Sequence, residues 1–323
     1  MKINSCCKAT AILLLAAVLA TGCGMPPTRT APGDGAQAGY LTLTDDAGRS
    51  VVLQHKPERI VVLAPSFLDL LYAVGGKAAG RPSSNSKAAA LSPQMQDIPE
   101  VGLVYNINVE KVVALQPDLV IAMQGMHDKL VPVLESNQLP VLVLQYKTYD
   151  DVFAKIGLFG DIAGTQEKAQ ALVRTMKDQL KQITDQLPAK TTKIAILHAT
   201  SKSVSLELDN SIAGNTAKLL QLQNVAGSGG NGSDTTPYSL EKLVESDPDI
   251  IFVVTMGNTA EIQKTMRDDV ENNPAWATLR AVRDKKVMFL PSELFLLNPG
   301  LRMPEAAHYM AKLVYPEIYA HDR

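Results

Sequence analysis

The chain holds few side chains whose types and spacing suit catalysis or metal binding. It has no Gly-x-Ser-x-Gly turn and no His-Glu-x-x-His motif, and the glycine-rich stretch 227–233 lacks the Gly-Lys-Ser/Thr ending of a phosphate-binding loop. A bare transition-metal site needs three or four His, Asp or Glu ligands. The histidines have no ligand partner at short helical spacing: His55, His127, His198, His308 and His321. The sequence therefore predicts a protein that is not an enzyme and that has no cofactor and no metal site.

Two acidic residues stand out because they occupy equivalent points of an internal repeat. Residues 108–123 (NVEKVVALQPDLVIAM) and 239–255 (SLEKLVESDPDIIFVVT) align at a constant shift of 131 residues, which places Glu110 on Glu241. An acid in the first turn of a helix stabilises that helix by about 0.3–1 kcal/mol, but this does not explain why both copies carry one. The pair predicts contact with a symmetric partner that has two basic pockets.

Each copy of the repeat has the pattern of a short helix followed by a buried strand. Asn108 and Ser239 are suited to cap the helix, and the runs 119–122 and 250–253 are apolar enough for strands covered on both faces. Helical and strand patterns alternate around both copies, which is typical of mainly parallel sheets. We therefore expect an α/β fold with two similar lobes and a ligand between them.

The longest predicted helix covers residues 165–187, between the two copies. Thr165 is expected to cap this helix and Pro188 to end it. One apolar stripe should face the core: Ala169, Val173, Met176, Leu180, Ile183 and Leu187. At about 1.5 Å per residue the helix would span about 35 Å and could bridge the lobes. The expected division is an N-terminal lobe at 40–164, the backbone helix, and a C-terminal lobe at 188–323.

Three local features are expected in the N-terminal lobe. Residues 40–53 alternate around an Asp-Asp-Ala-Gly turn, which predicts a β-hairpin. Ser66 and Asp69 have the spacing of a capping box, so we expect Asp69 to serve a helix terminus. A further helix is expected at 127–136.

The start of the chain has the features of an export signal that ends in a lipid-modified cysteine. Lys2 and Lys8 lie in a basic region, residues 9–20 are apolar but too few to span a membrane, and Ala-Thr-Gly precedes Cys23. We expect residues 1–22 to be a signal peptide and residues 23–39 to be a flexible, lipid-anchored linker. The alternative is a cleaved signal followed by a free cysteine.

Cysteine usage and charge narrow the class of protein further. The other two cysteines, Cys6 and Cys7, lie in the signal, so the exported body would have no disulfide and no thiolate metal site. Removal of residues 1–22 takes away two lysines and no acids, which leaves a net charge of −4. This mild acidity argues against nucleic-acid binding.

Stretches of the chain resemble the substrate-binding lipoproteins of ABC importers for iron complexes, haem and cobalamin, in the class with a helical backbone. The matching stretches cover about residues 40–317: 46–49 (DAGR), 57–61 (PERIV), 64–66 (APS), 101–102 (VG), 109–121, 239–253, 273–276 (NPAW) and 299–302 (PGLR). The resemblance implies two Rossmann-like α/β lobes with central sheets, joined by one long backbone helix, with little hinge motion.

The same resemblance implies partners and a location. The protein would be a monomer, held on the cell membrane by its lipid and facing the periplasm or the cell exterior. It would deliver an iron complex to a permease dimer that works with ATPase subunits. In this class, permease arginines receive one glutamate from each lobe, and those glutamates correspond to Glu110 and Glu241.

The ligand, by resemblance, lies in the cleft among loops that follow the carboxyl ends of the strands. Those loops contain nine candidate residues here: Arg81, Tyr105, Asn106, Gln124, Met126, His198, Tyr238, Phe295 and Arg302. Arg81 is the first choice for holding an anionic ferric siderophore, because arginine offers a fixed charge with a planar fork. Arg302 can equally cap the closing helix.

A ferric siderophore ranks first as the ligand, haem and cobalamin come next, and an oxyanion is last. Haem proteins use Tyr, His or Met as axial ligands, which Tyr105, Met126 and His198 offer. Cobalamin-binding members carry several cleft tryptophans, whereas Trp276 is far from these loops in sequence and Met123 stands where one of them would fall. Outside this class, the alternatives are an exported enzyme or a sensor on the same scaffold.

Overall fold

The body of the protein starts with the predicted β-hairpin. A computed structural model describes four stretches of the chain: 39–83, 93–229, 233–296 and 299–319. The expected signal peptide, Cys23 and most of the linker lie outside the described residues. The hairpin consists of β1 (Leu41–Thr44) and β2 (Ser50–Leu53), paired antiparallel. Gly48 in its turn has a φ of +76°, a conformation that glycine adopts without steric cost.

Strands and helices then alternate around a first sheet. The elements are β3 (Ile60–Val62), α1 (Pro65–Ala73), β4 (Ala78–Ser83), α2 (Pro93–Gln96), β5 (Glu100–Leu103), β6 (Asn106–Ile107), α3 (Val109–Ala114), β7 (Leu119–Met123), α4 (Val131–Ser136), β8 (Val141–Leu144) and α5 (Tyr149–Ala163). The strand order is β6-β5-β4-β3-β7-β8, and of the described strands in this sheet only β5 and β6 pair antiparallel. The central strands are buried on both faces, as their apolar runs predict.

One long helix, α6 (Gln166–Thr184), separates the two halves of the fold. Four residues of the predicted stripe are buried on its inner face: Ala169, Met176, Leu180 and Ile183. The predicted cap is wrong, because Thr165 has a ψ of 40° instead of the extended backbone of a capping residue, and its side chain makes no cap hydrogen bond. The helix also ends three residues before the predicted boundary, which shortens it to about 28 Å.

A second sheet forms the other half. Its elements are β9 (Lys193–Thr200), β10 (Val204–Glu207), α7 (Ile212–Leu219), β11 (Gln223–Asn224), β12 (Thr235–Pro237), α8 (Leu240–Ser246), β13 (Ile250–Met256), α9 (Thr259–Met266), α10 (Arg280–Arg283), β14 (Val287–Leu290), α11 (Ser292–Phe295), α12 (Met303–Val314) and α13 (Pro316–Tyr319). A π-helical turn covers Arg267–Glu271, and 3-10 turns cover Trp276–Thr278 and Gly300–Arg302. The strand order is β12-β10-β9-β13-β14, with β11 also beside β9.

The two repeat copies occupy equivalent places in the two sheets. Asn108 accepts a hydrogen bond from the Lys111 amide at the start of α3, and Ser239 accepts one from the Lys242 amide at the start of α8. Each helix leads into an interior strand: β7 lies between β3 and β8, and β13 lies between β9 and β14. The predicted fold, with two α/β lobes joined by one helix, is therefore confirmed.

The lobes share one hydrophobic core. A continuous cluster includes Val62 and Leu142 of the first sheet, Ile194 and Phe252 of the second, and Met176 of α6. Smaller clusters cover the outer face of each sheet. Because the main cluster crosses the lobe boundary, the described residues from 39 onward form one compact unit.

Two predictions about helix starts are wrong. Helix α1 begins at Pro65 with Ala64 before it, so Ser66 and Asp69 fall inside the helix and neither caps it. Proline suits the first helical position because its fixed φ is already close to the helical value. Helix α4 begins at Val131 instead of residue 127. No helix in the described ranges is both long and apolar enough to cross a membrane.

Candidate ligand-binding site

A cavity of about 470 Å³ lies between the lobes, at the carboxyl ends of β7 and β8. The N-terminal lobe lines it with Met123, Gln124, Gln145, Tyr146 and Lys147. The C-terminal lobe lines it with His198, Glu207, Ser211, Ile212, Asp234, Thr235, Phe295 and Leu296. This volume is within the ~300–1,000 Å³ of small-molecule sites.

A hydrogen-bonded network of three side chains forms the C-terminal wall of the cavity. Nδ1 of His198 lies 3.0 Å from Oε1 of Glu207, and the Ser211 hydroxyl donates to Oε2 of Glu207 over 2.8 Å. Glu207 is only 2% exposed. Because the carboxylate accepts, Nδ1 carries the proton, and in a neutral ring Nε2 is then the acceptor.

This network does not form a nucleophilic site. In a Ser-His-acid arrangement the serine hydroxyl bonds the imidazole, whereas Ser211 bonds the acid and also accepts from the Gly214 amide as the cap of α7. The serine therefore has no base to activate it.

An ion pair spans the cavity from one lobe to the other. Nζ of Lys147 lies 2.8 Å from Oδ1 of Asp234, and both side chains are about two-fifths exposed. With His198 counted as neutral, the described lining has one lysine against two acids, Glu207 and Asp234, and no arginine. Its formal charge of −1 gives no general attraction for an anion.

The hairpin turn supports the N-terminal wall of the cavity. The Asp46 carbonyl accepts from Nε2 of Gln124 over 3.3 Å, and its carboxylate accepts from the Gln145 amide over 2.7 Å. Lys155 pairs with the same carboxylate at 2.7 Å. Beside them, Tyr146 is almost fully buried and packs edge-on against Phe67, and burial raises the pKa of Tyr146. The turn at 45–49 thus holds the two loops that carry Gln124 and Gln145.

The structure brings three of the nine candidates into this cavity: Gln124, His198 and Phe295. Their contact with a ligand stays a prediction. The sequence analysis did not select the other lining residues, among them the four that make the ion pair and the hydrogen bonds described above: Lys147, Glu207, Ser211 and Asp234. Antiparallel pairing of β10 with β9, which places Ser205 beside His198, brings Glu207 next to the histidine. A hairpin reading of the two neighbouring strand patterns would have shown this.

Arg81, the first choice for a ligand residue, does not lie in this cavity, and its contact with a ligand stays a prediction. The side chain is buried, and it donates to the carbonyls of Met95, Pro82 and Gln96. It also pairs with Glu100 at 2.8 Å. The ion pair and the carbonyls already occupy the guanidinium, so it ties β4 to the following segment.

The other five candidates lie outside the cavity. Tyr105, Asn106 and Met126 are exposed on the N-terminal lobe. Tyr238 is half-buried against the outer core of the C-terminal lobe, and burial raises its pKa to about 12. Arg302 precedes α12 and makes a two-pronged ion pair with Glu305 in the first turn, but its side chain makes no cap hydrogen bond.

A second recess, of about 430 Å³, lies between α1 and the turn at Gly300–Arg302. It contains Asp69, whose pKa is raised by burial although the side chain still meets solvent. Across the described part of the chain, no group of three His, Cys, Asp or Glu side chains could hold a bare metal ion.

The two repeat glutamates differ from the two aspartates that are also equivalent in the repeat, Asp118 and Asp249. Glu110 and Glu241 are exposed, and neither has an ion pair within the described residues. By contrast, Asp118 accepts from the backbone amide of Arg59, and Asp249 pairs with Arg280 at 2.6 Å. The equivalent aspartates therefore have partners within the fold, whereas the equivalent glutamates remain at the surface.

Two similar sheets, a connecting helix and a polar cavity between the lobes define a two-lobed solute-binding protein. The chain belongs to the periplasmic binding protein family, whose profile matches residues 60–294. Membership of this family makes it a substrate-binding protein of ABC transporters and not an enzyme.

Individual relatives match most of the chain. It is 28% identical to the uncharacterized ABC transporter substrate-binding lipoprotein YvrC of Bacillus subtilis, over 96% of this chain and 97% of that one. It is 26% identical to the Fe(3+)-citrate-binding protein YfmC of the same organism, over 95% of each chain. A solved ABC transporter substrate-binding protein from Listeria monocytogenes superposes with a TM-score of 0.71 at 23% identity, covering 81% of this chain and 99% of that one.

Proposed function

We propose that this protein is a lipid-anchored extracytoplasmic receptor that captures an iron complex between its lobes and delivers it to an ABC importer. The observation that carries the proposal is the 470 Å³ cavity, which both lobes line with polar groups. Family membership and the name of its relative YfmC support iron as the cargo.

The charge of the cavity favours an iron complex with little net charge. Three hydroxamate groups balance Fe³⁺, whereas three catecholate groups leave a charge of −3. The lining is formally −1 and contains no arginine among its described residues, so desolvation of a strongly anionic chelate would not be offset there. The amides of Gln124 and Gln145 and the hydroxyl of Thr235 instead suit the carbonyl and amide groups of a neutral ferric hydroxamate.

Haem is the second candidate, because of His198. A histidine whose Nδ1 is held by a buried carboxylate is oriented to bind a metal through Nε2. Met123 lines the same cavity from the opposite lobe, and histidine and methionine together can serve as axial ligands of haem iron. Of the three residues considered for this purpose in the sequence, His198 alone lies in the cavity.

The proposal assigns the rest of the chain to anchoring and docking. Residues 1–22 direct export, Cys23 carries the lipid, and residues 23–39 link it to the folded body. Residues 40–164 and 188–323 are the two lobes, and 165–187 is the helix between them. Glu110 and Glu241 contact basic residues of the permease dimer, since both are exposed and have no ion pair in the described structure.

A ligand panel tests the proposal. We would titrate the purified protein with a ferric hydroxamate, a ferric catecholate, ferric citrate, haem and cobalamin, and follow quenching of intrinsic fluorescence. We expect saturable binding of one complex with a Kd at or below about 1 µM, and we expect the hydroxamate to bind more tightly than the catecholate.

The variant His198→Ala separates the two candidates. Loss of haem binding with a weaker effect on chelates would identify haem, because iron saturated by a chelator needs no ligand from the protein. Binding of cobalamin alone would identify cobalamin, instead of an iron complex, as the cargo. If no member of the panel bound, the iron-complex proposal would be wrong, and a sensor would become the favoured function.

A further inference from the structure

A methionine is exposed at or just after the carboxyl end of each repeat strand. Met126 follows β7 and is 49% exposed, and Met256 ends β13 and is 56% exposed. Under the repeat shift they fall one position apart, and each is next to a glycine with positive φ, +80° at Gly125 and +122° at Gly257. A flexible apolar side chain is thus presented at matching points of both lobes.

The topology places each methionine on the same edge of its lobe as a docking glutamate. Helix α3 has six residues, about 9 Å, and a short link joins its carboxyl end to the start of β7. The amino end of α3, with Glu110, therefore points toward the carboxyl edge of the sheet, where Met126 follows β7. The same connection from α8 to β13 places Glu241 on the edge where Met256 lies.

A buried histidine strengthens this arrangement in the N-terminal lobe. Nε2 of His127 bonds the Val104 carbonyl at 2.7 Å, and its Nδ1 accepts from the Met123 amide. The loop that carries Met126 is thereby tied to the turn that carries Tyr105, whose side chain is 72% exposed. Acidic and apolar groups are combined on this edge.

We propose that Met126 and Met256 are paired apolar contacts of the docking face, each beside one of the two glutamates. The partner that binds this face is the permease dimer. That partner presents a two-fold symmetric surface with two cationic side chains, each next to an apolar recess. The inference rests on the proposed function, and Tyr105 extends the contact on the N-terminal side. Methionine suits such a surface because it is unbranched and adapts to irregular partners.

Two other occupants fit the observations less well. The ligand is one, but neither Met126 nor Met256 lines the cavity between the lobes, whereas Met123 and Gln124 of the same region do. A second copy of this chain is the other, but a symmetric dimer through this face would bring the unpaired Glu110 and Glu241 toward like charges.

The experiment compares three variants of the full-length lipoprotein. They are Met126→Gln with Met256→Gln, Glu110→Lys with Glu241→Lys, and the control Val52→Gln, an exposed apolar residue of the hairpin. We would measure binding to the cognate importer reconstituted in nanodiscs, and separately measure the ligand panel and the oligomeric state. We expect the methionine pair to weaken importer binding by about tenfold or more, with unchanged ligand binding and an unchanged control.

The outcomes separate this inference from the function on which it rests. If the glutamate pair abolishes importer binding and the methionine pair has no effect, the inference is wrong and the docking assignment stands. If neither pair of substitutions affects importer binding, both the methionine inference and the docking assignment of the glutamates are wrong. A methionine pair that weakens ligand binding, or that removes self-association, would assign the residues to one of the two rival occupants.

Discussion

At the scale of single residues, the surroundings of each charged side chain decide what it can do. Glu207 is buried and uses both oxygens, one on His198 and one on Ser211, so it sets the orientation of the imidazole. Arg81 is just as buried, but its partners are carbonyls and Glu100. In the first arrangement Nε2 of His198 remains available to a ligand. In the second, the charge of Arg81 is already paired within the protein.

We expect Arg81→Ala to destabilise the protein without changing ligand affinity. A hydrogen bond to a charged group contributes about 1.5–3 kcal/mol, and the change removes several, so the free energy of unfolding should fall by at least one such contribution. Urea unfolding measures this, with the exposed Arg302→Ala as a matched control that should cost under about 1 kcal/mol. Weaker ligand binding with unchanged stability would instead assign Arg81 to the ligand-binding site.

At the scale of elements, the hairpin turn at 45–49 closes an open sheet edge. Strand β8 ends the first sheet, and its outward backbone groups would otherwise be free to pair with another chain. The Asp45 carboxylate accepts from the Val143 amide, the Asp46 amide donates to the Val143 carbonyl, and Arg49 donates to the Val141 carbonyl. The turn at 45–49 therefore covers the free edge of β8, and it also positions the loop that carries Gln145.

Asp45 should make this contact between the turn and β8 sensitive to acid. Burial acts to raise the pKa of Asp45, but hydrogen bonds from the Arg49 and Val143 amides and from the Arg49 side chain outweigh it and lower the pKa. A lowered pKa contributes stability above the unfolded value of about 3.9, and this stability is lost as the pH falls through the folded value. We expect Asp45→Asn to be about 1–3 kcal/mol less stable at pH 7. Its stability should also vary less below pH 4, and parallel pH profiles of the two proteins would refute this account.

At the scale of the whole molecule, the lobes contact each other directly as well as through the connecting helix. The Tyr149 hydroxyl of α5 donates to the Met303 carbonyl over 3.1 Å, and the Tyr149 amide donates to Asn215 over 3.1 Å. Lys147 reaches Asp234 across the cavity. With the shared core, these contacts leave α6 as one of several connections and not as a lone hinge.

The shared core predicts that both lobes unfold in one transition. Trp276 is buried in the C-terminal lobe and reports on that lobe alone, whereas far-ultraviolet circular dichroism reports on both. We expect the two signals to give the same urea midpoint, as in a two-state protein. Separate midpoints would mean that the lobes are independent domains.

The sequence by itself determined the elements and their order. The repeat placed two capped helices before two buried strands, and the alternation of patterns predicted two α/β lobes, because these features depend on local spacing and apolar content. The exposed pair Glu110 and Glu241 followed from the same repeat. Helix ends were less certain, as Thr165 and Ser66 show, since a cap depends on backbone angles that neighbouring elements impose.

The tertiary structure alone decided which side chains meet. Gln124 follows β7, His198 lies in β9 and Phe295 ends α11, and only the docking of the lobes brings Gln124 to the same cavity as the other two. Packing within the N-terminal lobe directed Arg81 into the protein and left Met126 at the surface. Residue type indicates what chemistry a side chain can perform, but burial and partners select among those possibilities, and both are set by contacts far apart in the chain.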